Sequence, residues 1–164
     1  VAISITLNDY LSNTHVDYDI LKHKHTTNAF DTAYKSQISM ANLAKAVVLQ
    51  DADGEYLMAV LPSQNKLKLK WISRQLHRRF NLAPEQDLKS IFQDCDLGAI
   101  PAVGNAYKMK TICDEQLLES SCVYIEGGDH QALIKLKQDQ FAQLMKDVPH
   151  HKISKPFIHE HRVA

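Results

Sequence analysis

Three places in the sequence carry residue types suited to chemistry on a substrate oxygen or phosphate. Lys45 stands directly before the apolar run Ala46 to Leu49. A lysine there is either a solvent-facing strand end or a fixed cation aimed into a cleft beside a sheet, suited to a phosphate or carbonyl oxygen. Gly98-Ala-Ile-Pro101-Ala102 joins a residue with free backbone angles to one whose φ is locked. The loop is therefore either a plain turn or a cradle of backbone N–H groups. Gly127-Gly-Asp-His130 reads as a turn between strands, with His130 either merely exposed or a donor and proton carrier near neutral pH.

Other chemistries find less support. Cys95, Cys113 and Cys122 are odd in number and form no Cys-x-x-Cys pair, which suits thiols in a reducing compartment. Cys95 lies between Asp94 and Asp96, whose charges oppose a thiolate, so it is rejected as a nucleophile. His23-Lys-His25 and His159-Glu-His161 would each put two imidazoles on one side of a strand, but no third ligand follows by spacing and His-Glu-x-x-His is absent. No Gly-x-Ser-x-Gly elbow and no phosphate-binding glycine loop occurs.

The elements that must position these residues read as follows. Leu7 to Ser12 is a short helix, Val16 to Leu21 a strand, and Thr26 to Gln37 a helix carrying Ala29, Phe30 and Ala33 at helical spacing. Ala46 to Leu49 and Tyr56 to Leu61 form a hairpin around Asp51-Ala-Asp-Gly54, which lacks the glycine and glutamate positions of a calcium loop. A basic helix runs from Lys70 to Phe80, and a further one from Pro84 to Phe92. Thr111 to Cys113, Cys122 to Glu126 and Ala132 to Leu136 are strands. A helical turn spans Asp114 to Leu118, and an amphipathic helix covers Gln138 to Lys146. Strands and helices mix without regular βαβ alternation, which predicts an α/β protein of the α+β type: a mixed sheet surrounded by helices. Its 164 residues suit one domain, 1–149, followed by a polar, histidine-rich tail, 150–164, expected to be loosely held.

Net charge is zero, which argues against general electrostatic attraction to nucleic acid. Charge is nonetheless uneven: Lys66 to Arg79 holds six Lys and Arg and no acid. On a continuous helix Lys70, Arg74 and Arg78 share one face, either a solvated surface or a phosphate-contacting stripe. No apolar run is long enough to span a membrane, and the first residues lack the basic-then-apolar pattern of a signal peptide, so a cytoplasmic location is expected.

Several of these segments occur together in an order that resembles the YbaK/ProX/EbsC family, stand-alone relatives of the editing domain of bacterial prolyl-tRNA synthetases. The carrying pieces are His23-Lys-His-Thr-Thr leading into Ala33, Ala44-Lys45-Ala-Val-Val-Leu, Leu57-Met-Ala-Val-Leu-Pro62, Leu97-Gly-Ala-Ile-Pro-Ala102 and Val123-Tyr-Ile-Glu-Gly-Gly-Asp-His130. The resemblance covers about Leu7 to Met145. It implies deacylation of mischarged tRNA, commonly proline tRNA carrying a small non-cognate amino acid, with no cofactor and no metal. Lys45 matches the lysine that anchors the tRNA 3′ end. Gly98, Ala99, Ile100, Pro101 and Ala102 match the loop that cradles the aminoacyl carbonyl and positions water, and the terminal ribose hydroxyl assists.

By the same resemblance His130 joins Lys45 and Gly98 as a catalytic candidate, and His23 and His25 fall among the substrate-binding residues. Lys70, Arg74 and Arg78 would contact tRNA, and prolyl-tRNA synthetase is a conceivable partner. Ala46 stands where some members place a polar residue, which leaves the amino-acid specificity open. Two other classes remain: a module that binds an aminoacyl or nucleotide-like group without turnover, and a metal-dependent hydrolase built on the histidines.

Overall fold

A computed structural model describes residues 3–157. Along the chain run α1 (Ile5–Thr14), β1 (Asp19–Lys22), α2 (Ala29–Ser36), β2 (Leu43–Asp51), β3 (Tyr56–Pro62), β4 (Asn65–Leu67), α3 (Leu69–Leu76), β5 (Phe80–Leu82) and α4 (Glu85–Ile91). A 3-10 turn (Gly104–Tyr107) precedes β6 (Lys110–Asp114), α5 (Glu115–Leu118), β7 (Cys122–Glu126), β8 (Ala132–Lys137), α6 (Gln138–Leu144), β9 (His150–His151) and β10 (Ser154–Pro156).

Local chemistry sets most boundaries. Ser4 accepts a hydrogen bond from the Leu7 N–H and caps α1; Asn28 accepts from Asp31 and caps α2. In the β2–β3 turn the Asp51 carboxylate accepts from the Asp53 and Glu55 N–H groups, and Gly54 takes φ +83°.

The main sheet has the order β1-β8-β7-β2-β3-β6-β9, with β5 added against β2, and β10 pairs with β4 in a two-stranded ribbon. β7 against β2, β3 against β6, and β6 against β9 are parallel; the remaining pairs are antiparallel. The sheet is mixed, as the irregular strand–helix order predicts. Alternate residues of β2 feed two cores. Ala44 and Val48 join Leu7, Leu11, Phe92, Phe141 and Ile125 on one face, whereas Leu49 joins Ile72, Phe80 and Ile153 on the other. No described helix is long and apolar enough to cross a membrane.

Three expectations need correction. The basic helix stops at Leu76, because His77 takes the left-handed conformation at φ +56° and its N–H returns to the Ser73 carbonyl. Phe80 then enters β5, and Arg78 leaves the face of Lys70 and Arg74. The segment after Pro149 is held, not loose, as far as Pro156. Ile153 is fully buried, its N–H donates to the Asp114 carboxylate at 3.1 Å, and the Ser154 hydroxyl donates to the same oxygen at 2.6 Å. The strand expected over 16–21 begins only at Asp19. His159 and His161 lie outside the described residues.

Asp114 is 2% exposed and takes a third hydrogen bond from Gln116. Replacing it by alanine strands two donors of the closing segment, Ile153 N–H and Ser154 Oγ. Asp114→Ala is expected to lower the unfolding free energy by about 2–4 kcal/mol, measured by urea denaturation, and to open residues 150–157 to proteolysis.

Candidate active site

The site begins with an opening in the sheet. β2 pairs along its whole length with β3. The bonds Ser63 N–H to Leu43 O and Asp51 N–H to Glu55 O show that its odd-numbered residues face β3. Ala44, Ala46 and Val48 therefore direct their N–H and C=O groups to the other edge. There β7 covers only Leu43 and Ala44, β5 covers Leu49 to Asp51, and Ala83 N–H reaches Val48 O. No described strand pairs with Ala46 on that side.

A pocket of about 290 Å³ occupies this opening; Lys45, Ala46, Leu88, Gly98, Ile100 and Glu126 are among the residues lining it.

Lys45 is the third residue of β2 rather than its first. Its Nζ donates to the Asn65 carbonyl at 2.8 Å and lies 5.4 Å from the centre of the Phe157 ring. Burial pushes its pKa down, and no described carboxylate forms an ion pair with it. Asn65 is itself fixed: its Nδ2 donates to Gln116 at 2.9 Å and to Ser154 at 3.0 Å.

Gly98 adopts φ +84°, where a side chain is strained, and an added Cβ would lie 3.3 Å from the His130 ring. The neighbouring Ala99 N–H is used by Asp96 O, but neither the Gly98 nor the Ile100 N–H has an acceptor among the described residues. Ile100 lines the pocket, whereas Ala99, Pro101 and Ala102 are buried behind it as the loop's footing.

His130 sits below the loop, not in the pocket wall. It is 5% exposed, and its Nε2 shares a 2.8 Å hydrogen bond with Leu97 O. Its geometry is that of a positioning residue for the loop. His25 packs edge-on against the His130 ring at 5.5 Å, and His23 N–H bonds to Gln131 O. Both brace the β7–β8 turn and neither lines the pocket. Among the described residues no three His, Cys, Asp or Glu converge as metal ligands. Cys95 bonds to Tyr107 Oη at 3.1 Å; burial first, with Asp94 beside it, pushes its thiol up to about 11.

In the sequence Glu126 is only one residue of the Val123 to His130 segment, with no role of its own. It closes β7, is 7% exposed, and its Oε2 has no hydrogen-bond partner. Burial and, less strongly, the charge of Asp129 raise its pKa to about 7, although the Thr32 hydroxyl pulls the other way. An apolar β-strand ending in Glu-Gly-Gly gave no periodic signal; only the parallel pairing of β7 with β2 brings this carboxyl to the pocket.

Lys70 and Arg74 line a separate shallow groove with Arg79, Phe80 and Asn81. Arg78 is engaged elsewhere, donating to Asp51 at 2.9 Å and lying over the Phe80 ring at 5.3 Å. Arg79, overlooked by the four-residue helical spacing, takes the third position because the chain turns after Leu76.

The Glu126 carboxyl makes stability depend on pH. Because its folded pKa is raised, the fold retains a proton that the unfolded chain loses between about pH 4.5 and 7. Stability falls through that window, and the full cost is present above it. Glu126→Gln removes the cost. Its melting temperature should match the parent near pH 4.5 and exceed it at pH 8, with a gain of at most about 3 kcal/mol, read by thermal denaturation at both pH values.

Comparison with known proteins bears on the fold and the family. No curated protein matches the sequence. Among solved structures, the hypothetical protein APE2540 superposes with TM-score 0.80 at 16% identity, over 92% of this chain and 99% of that one. A proposed trans-editing enzyme for prolyl tRNA synthetase superposes with TM-score 0.79 at 17% identity, over 92% and 95%. A proposed signal transduction protein from Marinobacter aquaeolei VT8 does so with TM-score 0.74 at 19% identity, over 92% of this chain and 30% of that one. At these identities the likeness is one of fold. The family model of the aminoacyl-tRNA editing domain matches residues 23–144, and the chain belongs to that family.

Proposed function

We propose that this chain is a deacylase that hydrolyses the ester of a mischarged tRNA in trans, with proline tRNA carrying a small non-cognate amino acid as the leading substrate. The observation that carries this reading is the pocket at Ala46, which joins a lysine to a glycine loop; among the described residues the lysine has no ion-pair partner and two of the loop's N–H groups have no acceptor. Lys45 holds a phosphate of the tRNA 3′ end. The Gly98 and Ile100 N–H groups donate to the ester carbonyl oxygen and strengthen their hold as it becomes an oxyanion. The terminal ribose hydroxyl helps deliver water, so the protein supplies no nucleophile. This suits a chain whose Cys95 is held as a thiol.

The pocket's size supports a small side chain, since a larger one is excluded sterically. Lys70, Arg74 and Arg79 give the groove beside β5 three cations for the tRNA backbone, and they supply affinity rather than chemistry. The likeness to a proposed trans-editing enzyme for prolyl tRNA synthetase supports proline tRNA and that synthetase as partners.

The decisive experiment is hydrolysis of a panel of mischarged tRNAs. Turnover of alanine- or other small-residue-charged proline tRNA is expected, and binding without turnover across the panel would make the chain a binding module. Lys45→Ala should lower kcat/KM about 10- to 100-fold, the range for a lost hydrogen bond to a charged group, at unchanged melting temperature. Gly98→Val should lower kcat about 100-fold with little change in tRNA affinity.

For the groove, Lys70→Gln, Arg74→Gln and Arg79→Gln together should weaken tRNA binding. They should also flatten its log–log salt slope by up to roughly 2, at about 0.7 per phosphate contact. Unchanged affinity and slope at low salt would leave the groove a solvated surface.

A further inference from the structure

A buried carboxyl is costly unless something compensates it, and among the described residues only the Thr32 hydroxyl favours the charged form of Glu126, too weakly to offset its burial. It forms no ion pair, its Oε2 is orphaned, and the only nearby charge acting on it is the like charge of Asp129. Its place is equally specific. The pairing of β2 with β7 ends at Ala44 and Ile125. Lys45 and Glu126 are the next residues along the two strands, and both line the pocket. Lys45 is drawn to the Asn65 carbonyl instead of to Glu126. The pocket thus holds two unlike charges that do not neutralise each other, an arrangement complementary to a ligand carrying both a cation and an anion.

We infer that Glu126 is the acceptor for the free α-ammonium group of the aminoacyl moiety, opposite the Lys45 anchor for phosphate. This rests on the deacylase reading for the identity of the ligand, but its geometry requires only a primary ammonium near a phosphate-bearing nucleoside. The orphaned Oε2 takes an N–H from the ammonium, and that charge-assisted bond replaces the missing partner. An aminoacyl ester carries its ammonium two bonds from the carbonyl carbon. Seating it on Glu126 therefore fixes the carbonyl relative to the Gly98 loop. Glu126 is by this account a specificity-determining residue: it selects unblocked aminoacyl groups and rejects N-acylated or des-amino ones. A general base acting on water is the competing role, and it predicts no such selection in a ligand that cannot react.

The test uses two inert ligands and the full chain. One is adenosine 5′-monophosphate with alanine joined in amide linkage at the ribose 3′ position; the other carries propionyl there and so lacks only the amino group. Calorimetric titration of the parent is expected to show the alanyl ligand binding about 10- to 100-fold tighter, the range for a hydrogen bond to a charged group. Glu126→Gln should remove that advantage and leave propionyl affinity unchanged. Equal affinities in the parent, no binding of either ligand, or an undiminished alanyl preference in Glu126→Gln would each overturn the inference. The parent comparison needs no variant, so misfolding of Glu126→Gln cannot blur it. A chain that discriminates the ligands but hydrolyses no mischarged tRNA would lose the deacylase reading and keep the ammonium site. Hydrolysis without discrimination would do the reverse.

Discussion

A strand inside a sheet must satisfy hydrogen-bonding groups on both edges, and β2 does so completely on only one. β7 and β5 share its other edge and leave a gap at Ala46. Everything proposed for the site depends on that gap. Full pairing would bury Ala46 between strands and close the pocket. Without β7 and β5 at the two ends, the strand would present a long unprotected edge open to pairing with another chain. Partial coverage gives a short length of backbone beside apolar walls, with a charged side chain on each of two neighbouring strands.

Two supports hold the groups around this gap. On one side the Lys45 ammonium rests on Asn65, Asn65 on Ser154, and Ser154 on the Asp114 carboxylate, in an unbroken series of hydrogen bonds. The closing segment of the described chain is thus part of the site's foundation. On the other side the β7–β8 turn receives α1 through Ser4 N–H to Gly127 O and the loop through Asp96 N–H to Gly128 O. His130 also holds Leu97 from below. Gly128 has φ +121°, strained for a side chain, and an added Cβ would press on Ser4 and Cys95 at 3.2 and 3.3 Å. Such bracing from several elements is what keeps backbone donors aimed without reorganisation during a reaction.

The same site is where the fold gives up stability. Lys45 and Glu126 are both desolvated, and each has its charged form disfavoured by burial. Hydrophobic replacements of similar size would favour the folded state, as they often do for buried charges. The absence of mutual neutralisation is the feature that ties this cost to a ligand. The nearly buried carboxylate of Asp51, by contrast, is satisfied internally by the partly exposed Arg78.

Much of the framework was legible along the chain. The β2–β3 hairpin followed from apolar runs flanking Asp51-Ala-Asp-Gly54, and the caps of α1 and α2 are short-range hydrogen bonds within three residues. Lys45 and the Gly98 loop stood out because a cation at an apolar run and a Gly/Pro loop are local patterns. The limits were equally physical. The end of α3 turned on one residue, His77, adopting a left-handed conformation that glycine would have advertised and histidine does not. The anchoring of residues 150–156 needed Asp114, nearly forty residues earlier. His130 looked exposed because its turn is polar, yet three separate segments dock on that turn and bury it. Glu126 acquired meaning only when parallel pairing set β7 beside β2. Hydrogen bonds and periodicity within a few residues are written in sequence order. The pairing of distant strands decides which charges lose their water together, and only the tertiary structure holds that information.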